Sequence, residues 1–207
     1  MQITFYMVDR LRKTPLILVT LFTLVLWTGL FPPVTLPQEN QTTLEVYFSP
    51  RGECTDAIIR ELKKAKNSVL VQAYSFTSVP IAEALVNAHK RGVKVEVILD
   101  KSRKAEKKSS APFLSDRGVQ VKIDATRGIA HNKVMIIDGE IVITGSFNFT
   151  KNAEENNAEN LLVIHDKKLA LLYTKNWQER EKHSDAYVAS GVTKAGQVSQ
   201  KLVQENF

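Results

Sequence analysis

The chain has a single cysteine, Cys54, in 207 residues. No disulfide can form within one chain, and no cysteine-built zinc site can be assembled. Cys54 reads as a small residue near a helix start, with an intermolecular disulfide as the alternative outside the cytoplasm. No internal repeat is visible. An acidic metal cage is missing too: Asp100, Asp116 and Asp124 fall at strand or helix ends, where surface or capping roles are expected, and neither metal nor other cofactor is assigned. Basic residues are absent between Lys13 and Arg51, and no A-x-A-like cleavage site occurs there.

That basic-free region contains Pro15 to Phe31, an uncharged apolar run of 17 residues. Its length lies between a signal-peptide core and a membrane span. Arg10, Arg12 and Lys13 precede it, so the positive-inside rule puts the N-terminus in the cytoplasm and the rest outside, periplasmic or secreted. Residues 1–37 are read as a signal peptide or membrane anchor plus linker, with an uncleaved anchor favoured, in contact with membrane or secretion machinery. Over the whole chain, 43% hydrophobic and 24% charged residues are the proportions of a globular protein, and one domain is expected over residues 38–185. The formal net charge of +6 favours polyanions, either nucleic acid or an anionic lipid surface. Residues 186–207 are small and polar without a period, and are expected to form a loose tail.

Within the domain the pattern alternates between strand and helix. Leu44 to Phe48 reads as a strand, and Thr55 or Asp56 is expected to cap a helix running to about Lys66, with Ile58, Leu62 and Ala65 on one face. Ser68 to Phe76 is a second strand. Ser78 and Pro80 start a helix that Gly92 stops, and Val93 to Leu99 is a third strand, parallel to the second. A helix is expected from about Lys104 to Asp116, then a short strand from Val119 to Ile123. Glu159 to His165 is a further strand. Asp166 then caps a helix with Leu169, Leu172, Tyr173 and Trp177 on one side. The expected fold is α/β, a mixed β-sheet sandwiched between helices.

Between these elements lies IAHNKVMIIDGEIVITGSFNFT, residues 129–150. Asp138-Gly139 between apolar runs predicts a hairpin with a two-residue type I′ turn. That turn would set Ile137 opposite Glu140, Lys133 opposite Thr144 and His131 opposite Ser146. His131, Lys133, Ser146 and Asn148 would then share one face at the hairpin's open end. Asp138 would lie at the turn, roughly 20 Å away, holding local hydrogen bonds rather than acting as an acid or base. An imidazole, an ammonium, a hydroxyl and an amide together suit a tetrahedral anion. The pattern H-x-K-x4-D-x6-G-S-x-N has chance odds on the order of 10⁻⁵ in a chain of this length.

HNKVMIID followed by GSFN resembles the signature of the phospholipase D superfamily. With AYSFT (73–77), GSFNFTKNAEENNAEN and WQER (177–180), the chain looks most like its small single-motif bacterial endonucleases. The resemblance implies an α/β/α sandwich, a covalent phosphohistidine at His131, and phosphate binding by Lys133 and Asn148 with Ser146 nearby. It also implies a carboxylate, Glu159, beside the imidazole to orient it. Typical members carry two motifs per chain, and this chain carries one.

A two-step displacement at phosphorus needs a nucleophile on one side and an acid on the other. One imidazole cannot serve both, and His89, His165 and His183 occupy poor positions for the second role. A two-fold homodimer sharing one composite site is expected, as the resembling subgroup also implies. Lys101 and Arg103, from the cation-rich DKSRKAEKK stretch, and Arg127 are candidate substrate-binding residues. Tyr74 and Phe76 could stack on a base, although alternate residues of a central strand suit a core. Three readings stay open: a metal-independent nuclease cutting DNA and RNA, a phospholipase D acting on membrane lipid, and a non-catalytic nucleic-acid or membrane binding module.

Overall fold

The computed structural model describes residues 42–103, 108–126 and 128–188. The N-terminal apolar run, Arg127 and the tail beyond residue 188 lie outside them, as does Lys104 to Lys107, the first turn of the helix expected to reach Asp116. Eight strands form one mixed sheet: β1 (Thr43–Ser49), β2 (Ser68–Ala73), β3 (Lys94–Asp100), β4 (Gln120–Asp124), β5 (Lys133–Ile137), β6 (Ile141–Gly145), β7 (Glu159–His165) and β8 (Ser184–Ala186). Their order is β1-β7-β6-β5-β2-β3-β4-β8, with β2, β3 and β4 parallel and every other pairing antiparallel. The helices are α1 (Cys54–Lys64), α2 (Val79–Lys90), α3 (Ser110–Ser115), α4 (Lys151–Glu155) and α5 (Lys167–Glu181).

Alternation along the strands divides the apolar residues between the two sheet faces. Val69, Val71, Val95, Val97, Met135 and Ile143 pack on one face with Ile58 and Leu62 of α1 and Ile81 and Leu85 of α2. Leu70, Ile98, Val134, Ile136 and Val142 pack on the other with Ala170 and Trp177 of α5. The expected sandwich of helices around a mixed sheet is the observed architecture. Trp177 is buried, and its indole N–H donates to Val71 O at 2.9 Å, so the one polar atom of that ring is satisfied inside the core.

Several local expectations are corrected. Helix α1 starts at Cys54 after Glu53 in the left-handed region (φ 64°), without a side-chain cap. The free N–H of Thr55 instead donates to the Glu154 carboxylate of α4 at 2.7 Å, so a tertiary contact does the work expected of Thr55 or Asp56. The second strand ends at Ala73, three residues early, although the Tyr74 N–H still follows the β5 register to Asn132 O at 2.8 Å. After β3 a 3₁₀ turn (Lys101–Arg103) intervenes, and α3 occupies only Ser110–Ser115. On α5, Leu169 and Tyr173 pack inward with Trp177, but Leu172 is 63% exposed. Strand β8 pairs with β4, and Tyr187 N donates to Val121 O at 2.9 Å, so ordered structure continues past residue 185.

The hairpin differs from expectation by one residue. Asp138 and Gly139 both have positive φ (54° and 66°), and Glu140 N donates to Ile137 O at 3.0 Å, as a type I′ turn requires. The ladder, however, pairs Ile137 with Ile141 and Val134 with Thr144. Glu140 is the extra residue, and its carbonyl is engaged by Asp166 N at 3.0 Å. A one-residue slip moves a strand's side chains to the opposite face, so Thr144 and Ser146 do not share the face of Lys133.

The Asp138 carboxylate accepts from the backbone N–H groups of Lys66, Asn67 and Ser68 at 2.9, 2.7 and 2.9 Å. Burial works against the ionised form, but those three donors prevail and hold its pKa below the ordinary carboxylate value. A folded-state pKa below the unfolded one stabilises fully above the ordinary carboxylate range, and the stabilisation is lost as pH falls through the folded value. Replacing Asp138 with Asn should cost about 1–3 kcal/mol at neutral pH in urea unfolding. The gap from the parent should close on acidification; a pH-independent gap would contradict this account.

Candidate active site

The C-terminal end of β2 and the N-terminal end of β5 meet where Ala73 pairs with Lys133. Lys133 is only 7% exposed, and its Nζ lies 3.4 and 3.3 Å from the two ring nitrogens of His131. The same ammonium donates to His131 O at 3.1 Å, and it stands 5.3 Å from the centroid of the Tyr74 ring. His131 is exposed, with its ring centroid 4.5 Å from that of Tyr74. On Tyr74 lies Arg103, its Cζ 4.2 Å from the ring centroid and its guanidinium donating to the Tyr74 hydroxyl. One aromatic ring thus separates an arginine from a histidine.

Burial pushes the Lys133 pKa down. The Glu159 carboxylate opposes that shift, and the Arg103 guanidinium adds to it. Glu159 accepts from Asn157 Nδ2 at 3.1 Å, and its charge bears on the lysine, while the contacts on the His131 ring come from Lys133 and Tyr74. Asn148 Oδ1 is buried and has no hydrogen-bond partner among the described residues. Such an amide favours a polar ligand, because an unpaired buried polar atom costs about 1–3 kcal/mol. Asn148 opens onto a cleft of about 400 Å³ whose walls include Tyr74, Arg103, Lys108 and Lys151.

Ser146 stands apart. Its N–H and that of Phe147 both donate to Asn160 O, at 3.1 and 3.2 Å, and its hydroxyl accepts from Asn160 N at 3.0 Å. That is a bulge at the end of β6, and the expected pairing of Ser146 with His131 is replaced by it. Gly145 makes the bulge possible. Its φ is 148°, and a Cβ there would lie 2.3 Å from Asn160 O.

Lys101 is exposed, and its ammonium reaches Thr126 O, which ties two loops together. Arg127 lies outside the described residues. Asp138 is at the far end of β5, clamped as described. Of the two aromatics, Phe76 is a core residue stacked edge-on with Phe149 at 5.8 Å, and Tyr74 belongs to the site. Lys108 and Lys151 were not singled out by sequence reasoning. Lys108 closes the cation-rich stretch, and Lys151 sits inside GSFNFTKNAEENNAEN, so both lay within runs already noted.

Other titratable groups fall elsewhere. Asp100 and Asp124, expected at the surface or as caps, are 1% and 2% exposed. Asp124 holds Thr126 N at 2.9 Å and Arg180 Nε at 2.9 Å, and Thr126 and Arg180 keep its pKa low against burial. Burial pushes the Cys54 thiol up to about 11, so it is protonated at neutral pH. His165 pairs with Thr43 and Ile141 at the end of the sheet away from Lys133, and His183 is 3.5 Å from Glu179.

Residues 58–180 match the family model described as "Cardiolipin synthase, PLD-like domain". A "Phospholipase D" of Rickettsia prowazekii (strain Madrid E) is 43% identical over 152 residues, 73% of this chain and 74% of the relative. Among solved structures, a phospholipase D family member, Nuc from Salmonella typhimurium, superposes with a TM-score of 0.69 at 37% identity, covering 72% of this chain and all of Nuc. NucT from Helicobacter pylori gives a TM-score of 0.66 at 30% identity, covering 71% of this chain and all of NucT.

The electrostatic coupling is open to direct measurement. Glu159→Gln removes the charge that supports the protonated lysine, so the pKa of Lys133 should fall further below its ordinary value. NMR titration of Cε-labelled lysine reads this; an unchanged or raised midpoint would refute the coupling.

Proposed function

The chain belongs to the phospholipase D superfamily, as a hydrolase acting on phosphodiester bonds, and from that premise we propose that it is an endonuclease cutting DNA, and RNA with it, as a homodimer. The observation that carries the choice of substrate is the cleft. Beyond Asn148 it is lined by Arg103, Lys108 and Lys151 rather than by an apolar trough. Successive cations follow successive phosphates of a polynucleotide. An acyl chain would need apolar walls.

In this reading Lys133 and Asn148 bind the scissile phosphate, and Arg103 and the Tyr74 ring meet the flanking nucleotide. His131 attacks phosphorus, so a P–N bond forms as the P–O bond breaks. The leaving oxygen takes a proton from the partner's His131. That imidazole, now neutral, removes a proton from water, which attacks phosphorus, breaks the P–N bond and restores the enzyme. Two lysines supply the positive charge at the transition state. The two histidines would titrate as one coupled pair.

A surface for the second copy is available. Alternate residues of edge strand β1, namely Leu44 (55% exposed), Val46 (47%) and Phe48 (66%), stand on one face. Phe48 pairs with Asn160, next to the level of Gly145, so the strip begins at the active end of the sheet. Burying it in a two-fold contact suits both its apolar character and the need for a second imidazole. Residues 1–37 would hold the domain outside the cytoplasm, periplasmic or secreted, and tethered to the membrane where the segment is retained. The second reading, lipid hydrolysis, is favoured by the likeness to the rickettsial relative named phospholipase D.

The test is a pair of assays on the full chain in mild detergent with excess chelator, using plasmid DNA and phosphatidylcholine vesicles. Plasmid nicking is expected, with His131→Ala inactive. Hydrolysis of lipid alone would overturn the nuclease assignment, and full activity of His131→Ala would overturn the mechanism. For the composite site, equal amounts of parent and His131→Ala chains should retain about one quarter of the parent activity after subunit exchange, because only parent pairs carry both imidazoles. Retention of half would mean that each chain works alone.

A further inference from the structure

Two side chains of the candidate site depend on segments outside the strands and long helices. His131 lies on the loop between β4 and β5, and Arg103 ends the 3₁₀ turn that follows β3. We propose that Asp100, the last residue of β3, is the positioning residue that fixes the one relative to the other. The functional part of the proposal rests on the phosphodiesterase reading above.

Asp100 is 1% exposed, and its two carboxylate oxygens are divided between the two segments. Oδ2 accepts the N–H of Ala130, the residue before His131, at 2.5 Å. Oδ1 accepts the N–H of Ser102, the residue before Arg103, at 2.8 Å, and also the Ser102 hydroxyl. Three donors converging on one buried carboxylate satisfy its charge in a place where a lone ion would be costly. On the far side, Tyr74 spaces the two side chains, with Arg103 Cζ 4.2 Å and the His131 ring 4.5 Å from its ring centroid. A backbone clamp and an aromatic spacer therefore set one distance between them. The entry of the histidine loop has its own anchor in Asp124, which holds Thr126 and is itself held by Arg180. What Asp100 adds is the fixing of the loop's exit, where the nucleophile stands.

A carboxylate suits this place and an amide does not. Asn at position 100 keeps one acceptor oxygen, but its NH₂ group must face either Ala130 N–H or Ser102 N–H. Ser102 offers two donors to one oxygen and Ala130 offers one to the other, so the retained oxygen stays with Ser102. The NH₂ then meets the Ala130 N–H donor to donor, and the histidine segment is released. A displacement on the order of 1 Å at a nucleophile lowers turnover by up to about a hundredfold. Ground-state binding by Lys133 and Asn148 would be little affected.

The experiment uses the full chain in mild detergent with its histidines labelled at ¹³Cε1. In Asp100→Asn the His131 signal should shift or broaden, while the signals of His89, His165 and His183 stay in place. With plasmid DNA, kcat should fall about tenfold to a hundredfold, with KM within about twofold of the parent. A uniform change at all four histidines, or a loss of thermal stability with unchanged His131 signal and kcat, would mean a merely structural role and overturn the proposal. Ser102→Ala provides a second measurement if Asp100→Asn does not fold. It removes one bond on the Arg103 side and keeps the Ala130 bond, so KM should rise severalfold while kcat and the His131 signal are kept. No change in either constant would count against Asp100 as the link. If the parent protein cleaves no phosphodiester at all, the proposed function fails, and the histidine signals alone decide on the positioning.

Discussion

The fold turns on one carboxylate that accepts three consecutive backbone N–H groups. Asp138 sits at the tip of the β5–β6 hairpin, and Lys66, Asn67 and Ser68 lead into β2. Its own N–H returns a bond to Ser68 O at 2.9 Å. The tip of one element is thereby fixed to the start of another, and the antiparallel register of β5 on β2 follows. From Val69 paired with Ile137, the ladder runs without interruption to Ala73 paired with Lys133. The residue that completes the H-K-D pattern is thus remote from the chemistry, yet it decides where the lysine arrives.

What arrives is an ammonium in a nearly dry place. Burial alone would drive Lys133 toward neutrality, and a neutral lysine would not attract a phosphate. Glu159 supplies the compensating negative charge, and the ring faces and ring nitrogens around the ammonium offer further electron-rich partners. The site therefore holds a cation that is largely shielded from water, with His131 and Tyr74 against it. On the proposed reading, the singly charged phosphodiester of the substrate would be its counter-ion. The unpaired amide oxygen of Asn148 tells of the same condition, with polar capacity left open toward the cleft.

Much of this was legible in the residues, for identifiable reasons. The alternating strand and helix periods located β1, β3, β7, α2 and α5 closely, because one-sided burial imposes those periods. The chemistry-bearing residues of the hairpin were legible because their spacing is specific. The register was not, since an Asp-Gly turn fits a two-residue loop and also a loop in which Glu140 is an extra member engaged by Asp166. That single residue separated Ser146 from Lys133. The start of α1 was hidden for a similar reason, because its free N–H is met by Glu154, about a hundred residues away in the chain. Asp100 looked like a strand-end surface residue until the folded loops closed over it. Contacts between distant segments leave no periodic trace.

The position of β1 at the sheet edge has a consequence for the order of events during synthesis. Among the described residues its one strand neighbour is β7, and the contact between Ser49 and Glu159 spans 110 residues. The hairpin and the β2–β3 unit can assemble from local pairings as the chain emerges, whereas β1, made early, waits for nearly the whole domain to follow. Through that interval Leu44, Val46 and Phe48 have neither strand partner nor core. A strand of this composition left waiting is prone to pair with whatever strand is near. The closing of the sheet by β7 is therefore the step that ends this vulnerability along the backbone edge it covers. It also brings Glu159, the first residue of that strand, to the buried lysine, so that completion of the sheet and completion of the site's charge are one event.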